Sequence, residues 1–554
     1  NSGGCHTIRP GVRAFPKSLK RTCGRPHRSI ALAPESPQAC AKGGTSLIPT
    51  GTIELQGRSS VMPRQTANLR LALRGQGTTL KAMTSLTEIS RSAPADAAAF
   101  IPFDNTYARL PEAFYQRVTP ATAPAPGLLR VNDALARQLR IDPQFLKSPE
   151  GVAILSGNVI APGSEPIAQA YAGHQFGDFV PQLGDGRAIL LGEVVDAAGR
   201  RYDLQLKGSG RTRFSRGGDG RAALGPVIRE YIVSEAMAAL GIPTTRSLAA
   251  VLTGENVIRE RMLPGGVLTR VASSHLRVGT FQYFAARGDV DNLRVLADYA
   301  IERHYPEARS AEDPYRAFYD AVVAALARLA ARWMLVGFIH GVLNTDNTAI
   351  AGETIDYGPC AFMDAYHPDK VFSSIDHFGR YAFANQPAVI KWNLTRFAET
   401  LLPLMADGAD KAIEAANASI RLFNDHFNRA YLAGLRQKLG LASEGEGDFE
   451  LASDLLASMA ENQADFTLTF RALCEAAADP KCDPGVRSLF ANPSAFDEWA
   501  VRWRQRLSLE ERPAEARRTA MLAANPMFIP RNHRIEAAIQ DAEAGHFDKF
   551  HELV

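Results

Sequence analysis

The sequence predicts an α+β protein in which a strand-rich region precedes a longer helical region. Two strand-like runs, at residues 187–195 and 202–207, are joined by a short polar connection that contains Gly199, which is typical of neighbouring strands. After Phe281 the apolar residues instead recur with the 3.6-residue period of helices. With 554 residues, 46% of them hydrophobic, the chain can bury a sizeable core.

Turn signals and periodicity predict the other elements in chain order. A helical pattern covers residues 131–139, and a second helix is predicted over 226–240, with Pro226 in its first turn and Gly241 at its C-terminal end. Further strands are predicted at 247–252 and 267–272, helices at 290–302, 314–336 and 388–404, and a helical remainder from about 410. A small strand-rich lobe followed by a larger helical lobe is the outline of the protein-kinase fold. We therefore predict a protein-kinase-like bilobal fold with N- and C-terminal extensions.

The same pass along the chain predicts its division into segments. We expect a disordered or non-native leader at 1–82, an N-terminal extension at 83–150, a kinase-like N-lobe at 151–252, a kinase-like C-lobe at 253–435 and a truncated helical region at 436–554. The leader is rich in Gly, Pro, Ser and Arg, and Met83 resembles a normal protein start. Translated upstream sequence or an artificial leader is the favoured interpretation, with a transit peptide and a basic binding arm as alternatives.

Charge is distributed unevenly along the chain. Residues 1–82 carry 13 Lys and Arg against two acidic residues, a balance of +11, whereas the remaining 472 residues carry 49 basic and 57 acidic residues, a balance of −8. A mildly acidic body is not typical of nucleic-acid-binding proteins. No run of 18 apolar residues is present that could form a transmembrane helix. We therefore expect neither a nucleic-acid partner nor a membrane partner.

The cysteines indicate a reduced intracellular protein. Three lie in the leader and three in the body: Cys5, Cys23, Cys40, Cys360, Cys474 and Cys482. The body cysteines have no metal-ligand spacing and do not suggest a disulfide framework. We expect a bacterial cytoplasmic protein, with mitochondria as the alternative if the leader is a genuine transit peptide.

A strand lysine and a helix glutamate form the first candidate pair for catalysis. Lys207 ends a predicted strand, and Glu230 lies on the helix that follows. A strand lysine held by a helix carboxylate is the device by which kinases direct an ammonium group at nucleotide phosphates. Strand lysines and helix glutamates are common in α/β proteins, so the pair gains meaning only beside a second motif.

The second motif offers oxygen ligands for a metal ion. Asp346 and Asn347 lie in HGVLNTDN (340–347), and Asp356 lies in IDYG (355–358). Carboxylate and amide oxygens suit Mg²⁺ or Mn²⁺ shared with phosphate oxygens. The order resembles a kinase catalytic loop and its DFG element, but kinases place about four residues between the base Asp and the metal Asn. An ordinary kinase mechanism is therefore in doubt, and Asp and Asn as simple turn residues are the alternative.

Glycine and arginine density supplies the third motif. GDGR (184–187) precedes a predicted strand and GSG (208–210) follows one, and glycine allows close backbone approach to an anion. Guanidinium groups suit phosphate oxygens. Six arginines are candidates, of which we expect two or three at most to serve the site: Arg211, Arg213, Arg216, Arg221, Arg270 and Arg277.

Five long strings, read together, resemble the selenoprotein O family (SelO/YdiU). They are AYAGHQFGDFVPQLGDGRA (170–188), LKGSGRTRFSRGGDGRA (206–222), IREYIVSEAM (228–237), TRVASSHLRVGTFQ (269–282) and HGVLNTDNTAI…IDYGP (340–359). The likeness runs from about residue 103 to 534. It implies a kinase-like fold that binds ATP in a flipped orientation, transfers AMP to Ser, Thr or Tyr hydroxyls of proteins and releases pyrophosphate.

The resemblance also implies roles for individual residues. Asp346 would accept the proton of the attacking hydroxyl, and Asn347 and Asp356 would hold Mg²⁺ or Mn²⁺. Glu230 would pair with Lys207. The nucleotide would be bound by Gly184, Gly186, Arg187, Lys207, Asp219, Gly220, Arg270 and Arg277.

Two departures from the family and three other functions remain open at this point. Family members usually continue to a tail with a redox-active Cys or selenocysteine, which is absent here, so tail-disulfide control is unsupported and Cys360 is expected to be a core residue. The leader is the second departure. The alternatives to AMP transfer are UMP transfer from UTP, a protein or small-molecule kinase reaction, and a nucleotide-binding scaffold without turnover.

Overall fold

In the computed structural model of this protein, the described residues are 101–554. The predictions for the leader and its cysteines concern residues outside this range. The described strands are β1 Tyr115–Arg117, β2 Gly127–Val131, β3 Ile167–Gln169, β4 Gly173–Gln175, β5 Asp178–Val180, β6 Ala188–Val195, β7 Arg201–Lys207, β8 Ala222–Ala223, β9 Arg246–Ile258, β10 Met262–Ala272, β11 Phe338–Ile339 and β12 Ala361–Phe362. Most of them precede the long helices, so the predicted mixed fold with a strand-rich region and many helices is confirmed.

Eight of these strands form one antiparallel sheet. Its order is β1-β3-β6-β7-β10-β9-β2, and β8 pairs with β10. Two short antiparallel pairs, the hairpin β4–β5 and the pair β11–β12, lie outside this sheet. Neighbouring residues of β6, Leu190 and Leu191, belong to different core clusters, because successive side chains of a strand face opposite sides. The sheet is therefore covered on both faces.

The described helices are α1 Asp133–Gln138, α2 Pro143–Lys147, α3 Pro149–Ser156, α4 Leu224–Ala239, α5 Val278–Ala285, α6 Val290–His304, α7 Pro314–Leu335, α8 Gln386–Met405, α9 Ala409–Leu439, α10 Asp448–Glu461, α11 Phe466–Ala478, α12 Asp483–Arg487, α13 Pro493–Leu507, α14 Ala514–Ala524, α15 Asn532–Glu543 and α16 Asp548–Leu553. Within residues 101–554, none of them is both long and apolar enough to cross a membrane.

Two apolar layers hold the sheet and the helices together. One face of the sheet packs with α1–α3 through side chains such as Leu135 and Leu155. The other face packs with α4, and this second cluster continues into the helical region. There, α5, α7 and α8 meet through the rings of Phe281, Phe318 and Phe397. Burial of this apolar surface is what stabilises the arrangement.

The sheet extends further than the sequence predicted. The strand predicted at 247–252 lies in the first half of β9, which runs on to Ile258 and pairs with β10. Gly254 has a positive φ of 73° within the strand, and a Cβ there would come within 2.5 Å of Ala125. The predicted lobe boundary at 252/253 therefore falls inside a strand. Similarly, Val131 ends β2, so the helix predicted from it begins two residues later, after the Asn132 cap.

Candidate active site

Strand alternation and one helix bring three charged side chains together. In β7, Leu206 faces the cluster shared with α1–α3, so Gln205 and Lys207 point to the opposite face. Across the β7–β10 pair, Arg270 lies opposite Gln205 and points the same way. Helix α4 covers this face and carries Glu230. The alternating pattern of two strands therefore aims two cations at one helix carboxylate.

Glu230 joins these two buried cations. Its Oε2 contacts Lys207 Nζ, and its Oε1 accepts a hydrogen bond from Arg270 Nε at 2.6 Å. Burial opposes ionisation of the carboxyl, but Arg270 and Lys207 hold the pKa of Glu230 below its ordinary value. Burial also lowers the pKa of Lys207. Because all three side chains are almost fully buried, the carboxylate fixes where both cations lie.

Asp356 is held by the same cations from the other side. Arg270 Nη2 lies 2.7 Å from its Oδ1, Arg277 Nη1 lies 2.8 Å from its Oδ2, and Lys207 Nζ lies 3.7 Å from its Oδ1. Burial would raise the pKa of Asp356, but Arg270, Arg277 and Lys207 hold it well below the usual range. Its backbone has a φ of +64°, a left-handed conformation that is uncommon for a residue with a side chain.

Asp346 lies in a more apolar position in the same site. It belongs to a single 3₁₀ turn, Thr345–Asn347, and only 7% of it is exposed. Gln175 Nε2 donates to its Oδ2 at 3.0 Å, whereas its buried Oδ1 has no hydrogen-bond partner within residues 101–554. Burial raises the pKa of Asp346 to about 6, although Gln175 and Arg277 oppose the shift. A carboxyl in this state can take up and release a proton near neutral pH.

The predicted metal ligands supply the type of donor that Mg²⁺ or Mn²⁺ requires. Asn347 Nδ2 donates to Val342 O at 3.0 Å, which leaves the amide oxygen available to a ligand. Asp356 adds a carboxylate kept ionised by its neighbours. No group of three His, Cys, Asp or Glu with metal-ligand geometry occurs in the described part of the chain. The donor set therefore fits an ion that shares phosphate and water oxygens rather than an all-protein cage.

Two glycines of the predicted loops are required by close contacts. Gly184 has a φ of +77°, and a Cβ there would lie 2.3 Å from the Phe214 ring. Gly220 has a φ of +70°, and a Cβ there would lie 2.1 Å from Gly210 O. Both positions combine a left-handed backbone with no space for a side chain.

Asp219 binds a residue that the sequence did not single out. Arg259 Nη1 and Nη2 lie 2.7 and 3.0 Å from the two carboxylate oxygens of Asp219. Arg259 follows directly after β9, whose end the sequence placed at 252. This ion pair therefore connects the glycine-rich segment to the β9–β10 hairpin.

Almost all of the predicted residues line one cavity of about 690 Å³. Glu230 is the exception, because it is buried behind Lys207 and Arg270. The cavity is lined by the other eleven: Gly184, Gly186, Arg187, Lys207, Asp219, Gly220, Arg270, Arg277, Asp346, Asn347 and Asp356. A pocket with so many cations and backbone N–H groups suits a polyphosphate.

More of the candidate arginines line the cavity than the two or three expected to serve the site. Four of the six candidates line the cavity, namely Arg216, Arg221, Arg270 and Arg277. Arg211 instead binds carbonyls of its own loop, and Arg213 stacks on Phe214. Sequence spacing could not show which arginines of this loop line the cavity, because Arg211, Arg213, Arg216 and Arg221 all lie within one short segment.

The cavity also contains residues that sequence reasoning missed. The Arg277 guanidinium lies 4.7 Å from the centre of the Tyr171 ring. Asp185 accepts hydrogen bonds from Gln169 N and Gln205 Nε2 at 3.0 and 3.2 Å. Tyr171 and Asp185 stand inside the strings quoted above, but no spacing rule marks them.

Cys360, expected to be a core residue, is buried, and burial raises its pKa to about 12.

The chain matches a known family over most of its length. The sequence model described as "Protein adenylyltransferase SelO" matches residues 99–554. A protein nucleotidyltransferase YdiU of Nitrobacter hamburgensis is 89% identical over 472 residues, which cover 85% of this chain and 94% of the relative.

Two further bacterial relatives carry the same description. The protein nucleotidyltransferase YdiU of Nitrobacter winogradskyi is 80% identical over 472 residues, covering 85% of this chain and 94% of the relative. That of Rhodopseudomonas palustris (strain HaA2) is 63% identical over 454 residues, covering 82% of this chain and 92% of the relative. The family match over residues 99–554 includes every strand and helix that contributes to the cavity.

Proposed function

The chain belongs to the protein adenylyltransferase SelO family and is a nucleotidyltransferase; on that premise we propose that it transfers AMP from ATP to Ser, Thr or Tyr hydroxyls of proteins and releases pyrophosphate. The observation that carries this proposal is the group of three buried cations, Lys207, Arg270 and Arg277, at the cavity wall beside Asp356. An ordinary kinase site needs one such lysine. Two additional guanidinium groups suit a larger anionic leaving group.

The cations favour a flipped nucleotide. If the terminal phosphates of ATP bind Lys207, Arg270 and Arg277, the α-phosphorus is left nearer the opening of the site. The group that departs is then pyrophosphate, and the charge that develops on it lies beside fixed cations. Because Glu230 already holds Lys207 and Arg270 in position, little reorganisation is needed during the reaction.

Asp346 is proposed as the proton acceptor. A new bond forms between the acceptor oxygen and the α-phosphorus while the bond to the bridging oxygen of pyrophosphate breaks and its electron pair leaves with pyrophosphate. The hydroxyl proton passes to the carboxylate of Asp346, a residue that lines the cavity. Arg277 Nη1 donates a hydrogen bond to the backbone carbonyl of Asp346 at 2.8 Å. The proposed base is therefore bonded directly to one of the proposed phosphate-binding residues.

Asn347 and Asp356 are proposed to hold Mg²⁺ or Mn²⁺. The ion would neutralise phosphate charge and orient the triphosphate. Both oxygens of Asp356 are bonded to guanidinium groups, so the carboxylate would exchange part of these bonds for the ion once Arg270 and Arg277 bind the phosphates.

The wider setting of the site is also proposed from the family. We propose that the sheet with α4 and the later helices correspond to the two lobes of a kinase-like fold, with the segment divisions given above moved so that β9 and β10 stay together. We further propose a bacterial cytoplasmic location. The bacterial source of the relatives supports it, whereas the mitochondrial alternative has no support among them.

Label transfer tests the proposal. The full chain is incubated with Mg²⁺ or Mn²⁺, a generic protein acceptor and ATP labelled at either the α- or the γ-phosphate. We expect label on protein from the α position only, abolished in Asp356→Ala and retained in Asp369→Ala, which changes an exposed acid outside the cavity. Transfer from the γ position would instead identify a kinase. Stronger labelling from α-labelled UTP would identify UMP transfer, and ATP binding without transfer would identify a scaffold.

A further inference from the structure

A small hairpin packs directly against the turn that carries Asp346. Strands β4 and β5 are joined through Phe176 and Gly177. His174 N donates to Thr345 Oγ1 at 2.6 Å, and Phe176 N donates to Asn344 Oδ1 at 3.1 Å. The hairpin backbone is therefore bonded to side chains on both of the residues that precede Asp346.

A side-chain network fixes the hairpin against α5 as well. Thr345 Oγ1 donates to Gln282 Oε1 at 2.7 Å, and Gln282 Nε2 lies 2.8 Å from His174 Nδ1. The loop from His174 through Thr345 and Gln282 is thus closed by hydrogen bonds. A closed network of this kind restricts the hairpin to one position relative to the turn.

The hairpin contacts the two carboxylate oxygens of Asp346 in different ways. Gln175 Nε2 holds Oδ2 at 3.0 Å. On the other side stands Gly173, where a Cβ would lie 2.8 Å from Oδ1, and Oδ1 has no partner among the described residues. Gln175 therefore holds one oxygen and Gly173 encloses the other, so two residues of the same strand fix the carboxylate.

We propose that Gln175 is a positioning residue that binds Asp346 Oδ2 and so fixes the orientation of the carboxylate that accepts the proton of the hydroxyl. This inference rests on the proposed function. An amide suits the task, because it donates a hydrogen bond without carrying a charge that would compete with Lys207 or the arginines for phosphate. Gln175 does not line the cavity, so it acts through Asp346 and not on the nucleotide.

Gln175→Met tests the proposal, because methionine has a similar length and no donor. We expect kcat for AMP transfer to fall by roughly 10- to 100-fold, with the KM for ATP within about twofold of wild type. Gln138→Met is the matched control: Gln138 lies on α1, outside the cavity, and the variant should retain wild-type kcat. Should Gln175→Met fail to fold, Gln175→Asn keeps the amide on a side chain too short to reach and should give the same pattern.

A double variant shows whether Gln175 works through Asp346. In an Asp346→Asn background, Gln175→Met should lower the residual rate by less than about twofold, because the group that it positions is absent. An unchanged kcat in the single variant, or equal losses in both backgrounds, would overturn the proposal. A raised KM for ATP with unchanged kcat would also overturn it. A wild-type chain that transfers no AMP would refute the proposed function and, with it, this inference. The wild-type reaction is run in parallel with the variants, so that this outcome is distinguished from a loss caused by the substitution.

Discussion

Arg277 holds Asp356 and the Asp346 backbone with one nitrogen atom. Its Nη1 lies 2.8 Å from Asp356 Oδ2 and donates to Asp346 O at 2.8 Å. The two segments that carry these acids are separated by the residues from Asn347 to Ile355. The guanidinium therefore connects the candidate base directly to the candidate metal ligand.

Arg277→Lys should weaken ATP binding. Lysine keeps the charge but loses the guanidinium nitrogen that contacts both segments and the stack on Tyr171. We expect the Kd for ATP, measured by calorimetry, to rise by about 10- to 100-fold. Arg287→Lys is a matched control, because Arg287 stacks on Tyr283 outside the cavity. Equal Kd values for the two variants would contradict the prediction.

Glu230→Gln should destabilise the fold. The substitution leaves Lys207 and Arg270 buried with only Asp356 to compensate them, and loss of one member of a buried ion pair costs about 3–5 kcal/mol. Urea unfolding measures the change in the free energy of unfolding. Lys147→Met removes the partly exposed pair with Asp133 and should cost less than about 1 kcal/mol. A similar loss in both variants would be inconsistent with a buried network.

Glu353 should give the folded chain a dependence on pH. Burial raises its pKa from the ordinary 4.5 to about 7. Between these values the folded chain holds a proton that the unfolded chain has released, so the free energy of unfolding falls as pH rises from about 4.5 to about 7. Glu353→Gln cannot ionise, and the variant should gain roughly 1 kcal/mol or more relative to wild type across this window. If the difference in the free energy of unfolding between Glu353→Gln and wild type were the same at pH 5 and pH 8, at ~25 °C, the prediction would be wrong.

Gly184→Ala should damage both the fold and the cavity. Gly184 and Gly199 have nearly the same backbone, with φ of +77° and +79°, but only Gly184 has a ring within 2.3 Å of the added Cβ. Gly199→Ala should cost about 1–2 kcal/mol for its left-handed conformation alone. Gly184→Ala should cost more and also weaken ATP binding, because Phe214 must move. Thermal unfolding and ATP calorimetry of both variants test this, and equal costs would contradict the steric argument.

The local parts of the site could be predicted from the sequence, because local patterns determine them. Lys207 was identified at the end of a predicted strand, and Glu230 on the predicted helix that follows it. Asp346, Asn347 and Asp356 were identified because their side chains carry oxygen ligands. The helix predicted at 226–240 is α4, Leu224–Ala239, and the one at 314–336 is α7, Pro314–Leu335.

Contacts between distant segments could not be predicted in this way. Gln175 meets Asp346 across 171 residues of sequence, and no spacing rule connects them. Arg259 was missed because the predicted strand ended at 252, whereas β9 continues through Gly254, and a glycine inside a strand permits the close approach of another backbone. The close packing of Gly254 against Ala125, and not local strand propensity, accounts for the glycine inside β9.

The arrangement around Asp356 makes this carboxylate an internal counter-ion. Before any ligand arrives, it screens the guanidinium groups that face the cavity, so a passing anion meets a weaker field than the number of arginines suggests. Only a ligand with several negative charges replaces Asp356 effectively, and the carboxylate so released is then free for a divalent cation. Nucleotide and cation should therefore each raise the affinity for the other by the same factor, a linkage that would be lost together with the Asp356 side chain.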